Sequence, residues 1–336
     1  MVRIGVIGCG YWGPNLVRDF SEIDGVKIIT CADLAKERLE LIKKKFPEIS
    51  VTTDSAAVIN DKSIDAVVIA TPAHTHYAIA RESLKFGKHT FVEKPLAFAP
   101  EEAEELITLS EKMKKVLMVG HTFEFNPAVE KIRECIKKKE LGDVYYITSR
   151  RLNLGKIRED INAMWNLAPH DVSILIYLLG TMPTEVKAWG ACFLQNGIED
   201  FVTVMLAFPG NIIANILVSW LDPLKVRDMV IVGSKKMILY DDVDNEGKIR
   251  IYDKGADKLI SPQAFGEYQI KLRAGDILIP KLPMYEPLKK ECEHFVKCIE
   301  NNKVPLTDGR NGLRVVKVLA AAQESLKNGG KTMKVG

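Results

Sequence analysis

A glycine-rich turn near the start of the chain constrains its fold most, because its neighbours complete a strand–turn–helix unit. The turn Gly8-Cys9-Gly10-Tyr11-Trp12-Gly13 follows the apolar run Val2–Ile7 and precedes a helical pattern. Unpaired N–H groups collect at a helix N-terminus, so a turn without side chains there lets a pyrophosphate approach the backbone. In such a turn Gly8 permits the tight bend, Gly10 leaves room for phosphates and Gly13 allows close packing of helix and strand. The unit predicts dinucleotide binding rather than an ordinary glycine-rich turn.

An acidic residue after the second predicted strand bears on the choice of cofactor. Asp33 lies twenty residues after Gly13, where a carboxylate can accept hydrogen bonds from an adenosine ribose. Its charge repels a 2′-phosphate, which favours NAD, whereas the nearby Lys36 and Arg38 keep NADP open. We expect Tyr11 and Trp12 of the turn to contact the cofactor as well.

Composition excludes several other classes of protein. A chain of 336 residues exceeds one typical core, so two domains are expected. Its 47 basic and 44 acidic residues are spread evenly, which gives no basic stripe for nucleic acid. No apolar run approaches membrane-spanning length, and the first strand begins at Val2, so we expect neither a signal peptide nor a membrane partner. Six widely spaced cysteines without a CxxC pair favour a reducing, cytoplasmic setting.

The pattern of predicted elements changes near Gly120. Before it, apolar runs alternate with helical patterns, which is typical of a doubly wound parallel sheet. After it, runs joined by tight turns such as Pro209-Gly210-Asn211 predict a large, mostly antiparallel open sheet. We therefore predict an α/β protein with an NAD(P)-binding Rossmann domain (residues 1–120) and an α+β domain for substrate binding and oligomerisation (residues 121–336). The predicted strands are 3–7, 27–32, 66–70, 89–92, 116–119, 144–152, 185–192, 201–208, 212–220, 226–232 and 237–240, and the later helices include 169–179, 285–300 and 309–327.

Three short motifs follow predicted parallel strands. They are Thr71-Pro72, Glu93-Lys94-Pro95 and Gly120-His121. Ligands of doubly wound sheets bind beyond the carboxyl ends of the strands, so we expect these motifs at the ligand edge. Desolvation and a positively polarised nicotinamide would disfavour the charged form of Lys94, which could then polarise a substrate hydroxyl or move its proton. An exposed Glu-Lys turn is the alternative interpretation.

These motifs, with a histidine some seventy-five residues after Glu93-Lys94-Pro95, resemble the glucose-fructose oxidoreductase/inositol dehydrogenase (Gfo/Idh/MocA) family along nearly the whole chain. Residues 10–18 and 167–171 are especially similar to its sugar and nucleotide-sugar dehydrogenases. The resemblance implies hydride transfer between NAD, or NADP, and a secondary alcohol of a sugar or nucleotide sugar, with a 3-keto nucleotide sugar as the preferred product. It implies that Lys94 is the catalytic lysine and His170 the proton-exchanging histidine. It also implies that Glu93, Pro95 and His76 lie on the cofactor side, with a cis Lys94–Pro95 bond.

The chain departs from the family pattern at one position. The residue four before His170 is usually aspartate in the family and is Asn166 here, and an amide cannot shuttle a proton. Asp171 is a nearby carboxylate that could compensate. His170 could also simply cap or pack its helix. The alternative function is therefore a non-catalytic nucleotide-sensing or assembly protein that retains the fold.

The remaining predicted contacts concern the substrate and a second subunit. The predicted substrate-binding residues are His121, Arg151, Lys156, Arg158 and Asn166. Basic side chains there would neutralise a diphosphate or a uronate, although a solvated charged loop fits them equally. His74 and His76 lack matching ligands, so we predict no metal site. Alternating strands in the open sheet could bury one face on helices and the other in a homodimer or homotetramer.

Overall fold

The apolar runs of the N-terminal segment pair as parallel strands, as their pattern predicts. A computed structural model describes residues 1–259 and 269–336 of the chain. Within that part, the first sheet contains β1 (Val2–Ile7), β2 (Val26–Ala32), β3 (Ser50–Thr52), β4 (Ala66–Ile69), β5 (His89–Glu93) and β6 (Leu117–Gly120). Their order is β3-β2-β1-β4-β5-β6, and each neighbouring pair is parallel. This is a doubly wound order, which directs ligands to the carboxyl ends of the strands.

Helices cover both faces of this sheet because successive strand residues are apolar and point to opposite sides. Val68 packs with Phe20 in one core, whereas Val67 packs with Leu84 in the other. The helices are α1 (Gly13–Ser21), α2 (Lys36–Lys45), α3 (Ser55–Asn60), α4 (His76–Lys85) and α5 (Pro100–Met113), with short 3-10 turns at Ala73–Thr75 and Thr122–Phe125. The sequence pattern does not predict β3 and α3, because elements of three and six residues are too short to show a period.

The later strands form a second, mostly antiparallel sheet, which also agrees with the prediction. Its described strands are β7 (Val144–Leu152), β8 (Glu185–Ala191), β9 (Phe201–Phe208), β10 (Ile212–Ser219), β11 (Val226–Gly233), β12 (Met237–Asp241), β13 (Ile249–Leu259), β14 (Gln269–Leu278) and β15 (Met333–Lys334). Their order is β14-β13-β12-β11-β7-β10-β9-β8-β15, with β7 and β10 parallel and the other neighbours antiparallel. The predicted hairpin between β9 and β10 turns at Gly210 (φ 78°) and Asn211 (φ 61°), residue types that tolerate positive φ. The strands β13 and β14 are not among those predicted, although Gln269, Lys271 and Arg273 alternate with apolar residues in β14.

Packing divides the chain into two units whose boundaries differ from the predicted segments 1–120 and 121–336. The first unit is Met1–Phe125 with Tyr285–Ala320, and the second is Asn126–Met284 with Ala321–Gly336. The C-terminal helices are α8 (Pro287–Asn301) and α9 (Gly309–Lys327). Phe295 of α8 packs edge-on against Phe20 and Phe91, with ring centroids 6.1 and 5.7 Å apart. The apolar stripe of α8 completes the core of the first unit.

The second unit contains α6 (Pro127–Lys137) and α7 (Ala163–Leu179). The sequence predicts that α7 begins at Pro169, but it begins earlier, where the Asn162 side chain accepts a hydrogen bond from the Trp165 N–H at 3.0 Å. A proline inside a helix sacrifices one backbone bond. Burial of Ala168 and Val172 on either side of it stabilises the continuous helix. Across the described residues, no helix combines the length and apolarity needed to cross a membrane.

Candidate active site

The glycines of the first turn differ in what surrounds them. Gly8 has φ +99°, and a Cβ there would lie 2.5 Å from the backbone of Ala70. A Cβ at Gly13 would lie 2.2 Å from the carbonyl oxygen of Gly8. At Gly10, by contrast, the nearest described atom to such a Cβ is the Arg38 Nη1, at 3.8 Å. Packing therefore requires two of the glycines, whereas the open space beside Gly10 fits the close approach of a phosphate.

Two further features make this turn suitable for a dinucleotide. No side chain in the described part caps the N-terminus of α1, and the partial positive charge of a helix N-terminus favours an anion. Tyr11 and Trp12 are 85% and 40% exposed, and their rings meet edge to face. Exposed aromatic rings of this kind can cover a planar ligand.

Asp33 is anchored beside the same turn. Its side chain is 6% exposed, and its oxygens accept hydrogen bonds from the N–H groups of Cys9 at 2.7 Å and Ala35 at 2.9 Å. The Arg38 guanidinium lies 3.4 Å from both carboxylate oxygens. A carboxylate has about four lone-pair sites, so Asp33 can accept bonds from a ribose if these replace the two long contacts with Arg38. Turn, helix end and carboxylate together fit the adenosine diphosphate portion of NAD.

The three strand-end motifs lie along one edge of the first sheet. Thr71, Glu93 and Gly120 follow or end β4, β5 and β6, which are adjacent and parallel. The Lys94–Pro95 peptide bond is cis, as the family resemblance implies. His76, 1% exposed, links two of the motifs, since its Nδ1 lies 2.7 Å from the Pro95 oxygen and its Nε2 lies 2.9 Å from the Thr71 oxygen. The buried imidazole therefore lies between the two motifs, and it donates to both oxygens at once only in its protonated form, because a neutral imidazole has one N–H.

The charge of Lys94 influences three neighbours of this edge. Burial raises the pKa of Glu93 to about 7, although the nearby ammonium of Lys94 opposes that rise. Burial, and to a lesser extent Lys94, lowers the pKa of His121 to about 3. The pKa of His76 also falls below its ordinary value, chiefly through burial, although its hydrogen bonds with the Pro95 and Thr71 oxygens oppose the fall. His121 is therefore neutral at physiological pH, and Glu93 titrates near neutrality.

Several buried polar residues near Glu93 were not predicted from the sequence. Thr122 donates a hydrogen bond to the fully buried Glu291 of α8 at 2.6 Å. Asn311 of α9 donates to the buried Glu124 at 3.0 Å. The available signal was the position of Glu291, because it interrupts the apolar stripe of an amphipathic helix (Leu288, Cys292, Phe295 and Val296).

The second unit contains His170 and Asn166, one helical turn apart on α7. The Trp220 indole donates a hydrogen bond to the Asn166 Oδ1 at 3.2 Å. Asp171, which could have replaced the missing family aspartate, is buried and accepts from Ser149 at 2.8 Å and from the Arg151 Nε at 3.0 Å. The carboxylate beside His170 in sequence is therefore engaged in a buried ion pair.

The predicted basic residues of the substrate side have unlike environments. Arg151 is buried and its charge is balanced by Asp171. Arg158 binds Asp160 through two bonds of 2.8 and 2.7 Å, and Lys156 is exposed. An anionic ligand would have to compete with existing carboxylates for both arginines, which leaves Lys156 as the accessible charge of the group.

Comparison with known proteins covers almost the whole chain. A family model for an oxidoreductase family with an NAD-binding Rossmann fold matches residues 2–121, and the GFO/IDH/MocA C-terminal domain matches residues 129–239. UDP-N-acetylglucosamine 3-dehydrogenase of Acidithiobacillus ferrooxidans is 27% identical over 96% of this chain and 95% of that protein. The scyllo-inositol 2-dehydrogenase (NAD(+)) of Bacillus subtilis is 27% identical over 98% and 95%. The solved structure of the Acidithiobacillus enzyme has a TM-score of 0.80 at 26% identity and covers 97% of each chain. This chain belongs to the Gfo/Idh/MocA family of NAD-binding oxidoreductases.

Proposed function

We propose that the protein transfers a hydride between NAD and a secondary alcohol of a sugar or nucleotide sugar, with a 3-keto nucleotide sugar as the preferred product. The observation that carries this proposal is the arrangement of the first unit, in which an NAD-compatible turn and the Lys94 edge belong to one parallel sheet. The likeness to a UDP-sugar 3-dehydrogenase and an inositol dehydrogenase over nearly their full lengths supports the substrate class. Asp33 favours NAD, whereas Arg38 beside it keeps NADP as the alternative.

Bound NAD supplies the hydride-accepting ring, and the protein supplies orientation and proton handling. In this proposal Lys94 donates a hydrogen bond to the reacting oxygen and stabilises the negative charge that develops there. Neutral His121 leaves the lysine as the cation of that edge. His170 accepts the alcohol proton, a role suited to an imidazole near neutral pH. Asn166, held by Trp220, serves to orient a hydroxyl and not to transfer a proton.

The first experiment is a titration with NADH followed by nicotinamide fluorescence. We expect saturable binding, and absence of binding at millimolar NADH would refute the proposal. UDP- and dTDP-linked sugars are then compared with simple polyols as substrates. Turnover of a nucleotide sugar but not of inositol would assign the preferred product class.

A second candidate is a non-catalytic nucleotide-sensing or assembly protein. The environment of α7 favours it, because Asn166 replaces the family aspartate and Asp171 is already paired with Arg151. The substrate panel separates the two candidates. Binding of NADH without turnover of any sugar supports the sensing role, whereas turnover of one sugar excludes it.

We further infer that the protein acts as a homo-oligomer in the cytoplasm. One face of the second sheet packs on α7, and the other exposes Trp189 (58%), Met205 (47%) and Ile213 (45%). These side chains lie on one face of the paired strands β8, β9 and β10, together with polar side chains such as Lys187 and Thr203. A second copy of the chain is the proposed occupant, as a dimer or tetramer. All six cysteines are free thiols, which supports the cytoplasmic setting.

A further inference from the structure

Three carboxyl groups of the first unit are buried near one another. Glu93 is 7% exposed, Glu124 is 1% exposed and Glu291 is fully buried. Glutamate side chains are rarely buried to this extent, since removing a charge from water is costly unless it is neutralised. These three residues come from the end of β5, the 3-10 turn Thr122–Phe125 and α8. The fold has therefore gathered acidic groups from distant segments at the proposed cofactor edge.

The geometry of the group is tight and incompletely hydrogen-bonded. A Cβ on Gly120 would lie 3.3 Å from the Glu93 Cδ and from both of its oxygens, so the Glu93 carboxyl packs flat on the Gly120 backbone. Glu291 accepts from Thr122 at one oxygen, and its Oε1 has no hydrogen-bond partner among the described residues. The same holds, within residues 1–259 and 269–336, for both ring nitrogens of His121. Such unsatisfied groups are where proteins hold internal water or a mobile proton.

Charge balance shows that not all of these carboxyls can be ionised. The ammonium of Lys94 favours the ionised form of Glu93, whereas Glu291 faces the like charges of Glu93 and Glu124. His121, the other titratable group at this edge, stays neutral. Burial is the main reason why the pKa of Glu93 rises to about 7 and that of Glu291 rises well above its ordinary value. Protonation relieves the repulsion that Glu291 experiences from Glu93 and Glu124.

We propose that Glu93 is a proton carrier whose ionisation follows the charge of the bound nicotinamide, with Glu291 held as its protonated neighbour. The proposal rests on NAD binding at this edge. The oxidised nicotinamide ring carries a positive charge and the reduced ring does not. A positive charge beyond the end of β5 favours the ionised form of Glu93. Binding of NAD⁺ therefore releases a proton from the Glu93 carboxyl to the solvent, and binding of NADH leaves it protonated.

The test measures protons rather than turnover. Titration calorimetry with NAD⁺ and with NADH is performed at pH 7 in phosphate and in Tris, whose ionisation enthalpies differ. The difference in heat between the two buffers gives the number of protons released. We expect release of a fraction of a proton with NAD⁺ and none with NADH. Equal buffer dependence for the two cofactors would overturn the proposal, and absence of any binding heat would instead overturn the proposed function.

A matched pair of variants assigns the proton to its carrier. Glu93→Gln is expected to bind NADH and to lose the proton release with NAD⁺. Glu291→Gln makes the same isosteric change in the neighbouring carboxyl and retains an acceptor for Thr122, so we expect wild-type release. Release that persists in Glu93→Gln would assign the proton to Lys94 or another group and would contradict the proposal. Release that moves to lower pH in Glu291→Gln would show that Glu291 is ionised, which contradicts its assigned state.

The pH dependence of the wild type provides an independent check if Glu93→Gln binds neither cofactor. Release from Glu93 requires a protonated carboxyl before NAD⁺ binds, so it must fade as the pH rises above about 7. Release that grows above pH 8 would identify an amine instead and would overturn the assignment to Glu93.

Discussion

Lys94 is the residue on which the proposed chemistry depends most. It follows β5, and its charge contributes to the pKa values of the neighbouring His76, His121 and Glu93. Each of these neighbours is buried, so the electrostatic influence of the ammonium is little weakened by water. A substitution of Lys94 can therefore separate catalysis from cofactor binding.

Replacing Lys94 by alanine is expected to leave NADH affinity within about threefold of wild type while reducing kcat about a hundredfold or more. The reason is that the amine acts on the reacting oxygen and the dinucleotide turn is unchanged. Steady-state kinetics with an accepted sugar and a fluorescence titration with NADH measure the two effects. Lys85→Ala, at an exposed lysine that pairs with Glu82 on α4, serves as the control. Unaltered kcat in Lys94→Ala would remove this lysine from the mechanism.

The buried His121 is expected to make the stability of the protein depend on pH. Its pKa is lowered from the ordinary 6.5 to about 3, so the folded state favours the neutral imidazole. That contribution to stability is complete above pH 6.5 and is lost as the pH falls from 6.5 towards 3. His121→Gln should flatten this part of the curve, measured as the urea midpoint at pH 7.5 and pH 5. His74→Gln alters an exposed imidazole and should leave the wild-type slope, whereas an unchanged slope in His121→Gln would show that other groups dominate.

At the scale of elements, the strand–turn–helix unit uses its glycines for two purposes. Gly13 allows the first turn of α1 to pass close to the Gly8 oxygen, whereas Gly10 borders open space. Gly13 is therefore required for packing, whereas Gly10 leaves room for the ligand.

A pair of alanine substitutions tests this division. Gly10→Ala should weaken NADH binding about tenfold or more, which is about 1.4 kcal/mol, with the urea midpoint unchanged. Gly13→Ala should lower the free energy of unfolding by about 1–3 kcal/mol, because its Cβ would be forced against backbone. A stability loss in Gly10→Ala equal to that of Gly13→Ala would contradict the distinction. Fluorescence titration and urea unfolding of both variants give the comparison.

Much of the element pattern could be predicted because its signals are local. The apolar runs predicted β1, β2, β4, β5 and β6, and the turn residues at 209–211 predicted the β9–β10 hairpin. The predicted start of α7 at Pro169 was wrong. Proline is common in the first turn of a helix, but burial on both sides of Pro169 keeps this helix continuous. The strand β14 was missed although its polar and apolar residues alternate over 269–274.

In the molecule as a whole, the face of the second sheet that does not pack on α7 exposes large apolar side chains. Met205 lies diagonally across from Trp189 on the neighbouring strand, because their direct partners are Lys187 and Thr203. An exposed apolar face of this kind favours association.

Met205→Lys should dissociate the proposed homo-oligomer, since it places a second ammonium opposite Lys187 within the apolar face. Light scattering coupled to gel filtration measures the mass of wild type and variant. We expect the wild type at a multiple of 37.6 kDa and the variant at 37.6 kDa. Val243→Lys, at an exposed apolar residue outside the strands of this face, is the control. A monomeric wild type would rule out the interface.

The amino-acid sequence alone determined the features that depend on neighbours along the chain, namely the glycine-rich turn, the parallel and antiparallel strand patterns and the strand-end motifs. Turn-forming residues and side-chain periodicity involve only a few neighbouring residues, so they can be identified from the sequence alone. Only the tertiary structure decided which charges meet. It brought Glu291 of α8 to the edge beside Glu93, and it paired Arg151 with Asp171. Charge neutralisation depends on distance in space and on burial, and residues far apart in sequence acquire both only when the chain folds.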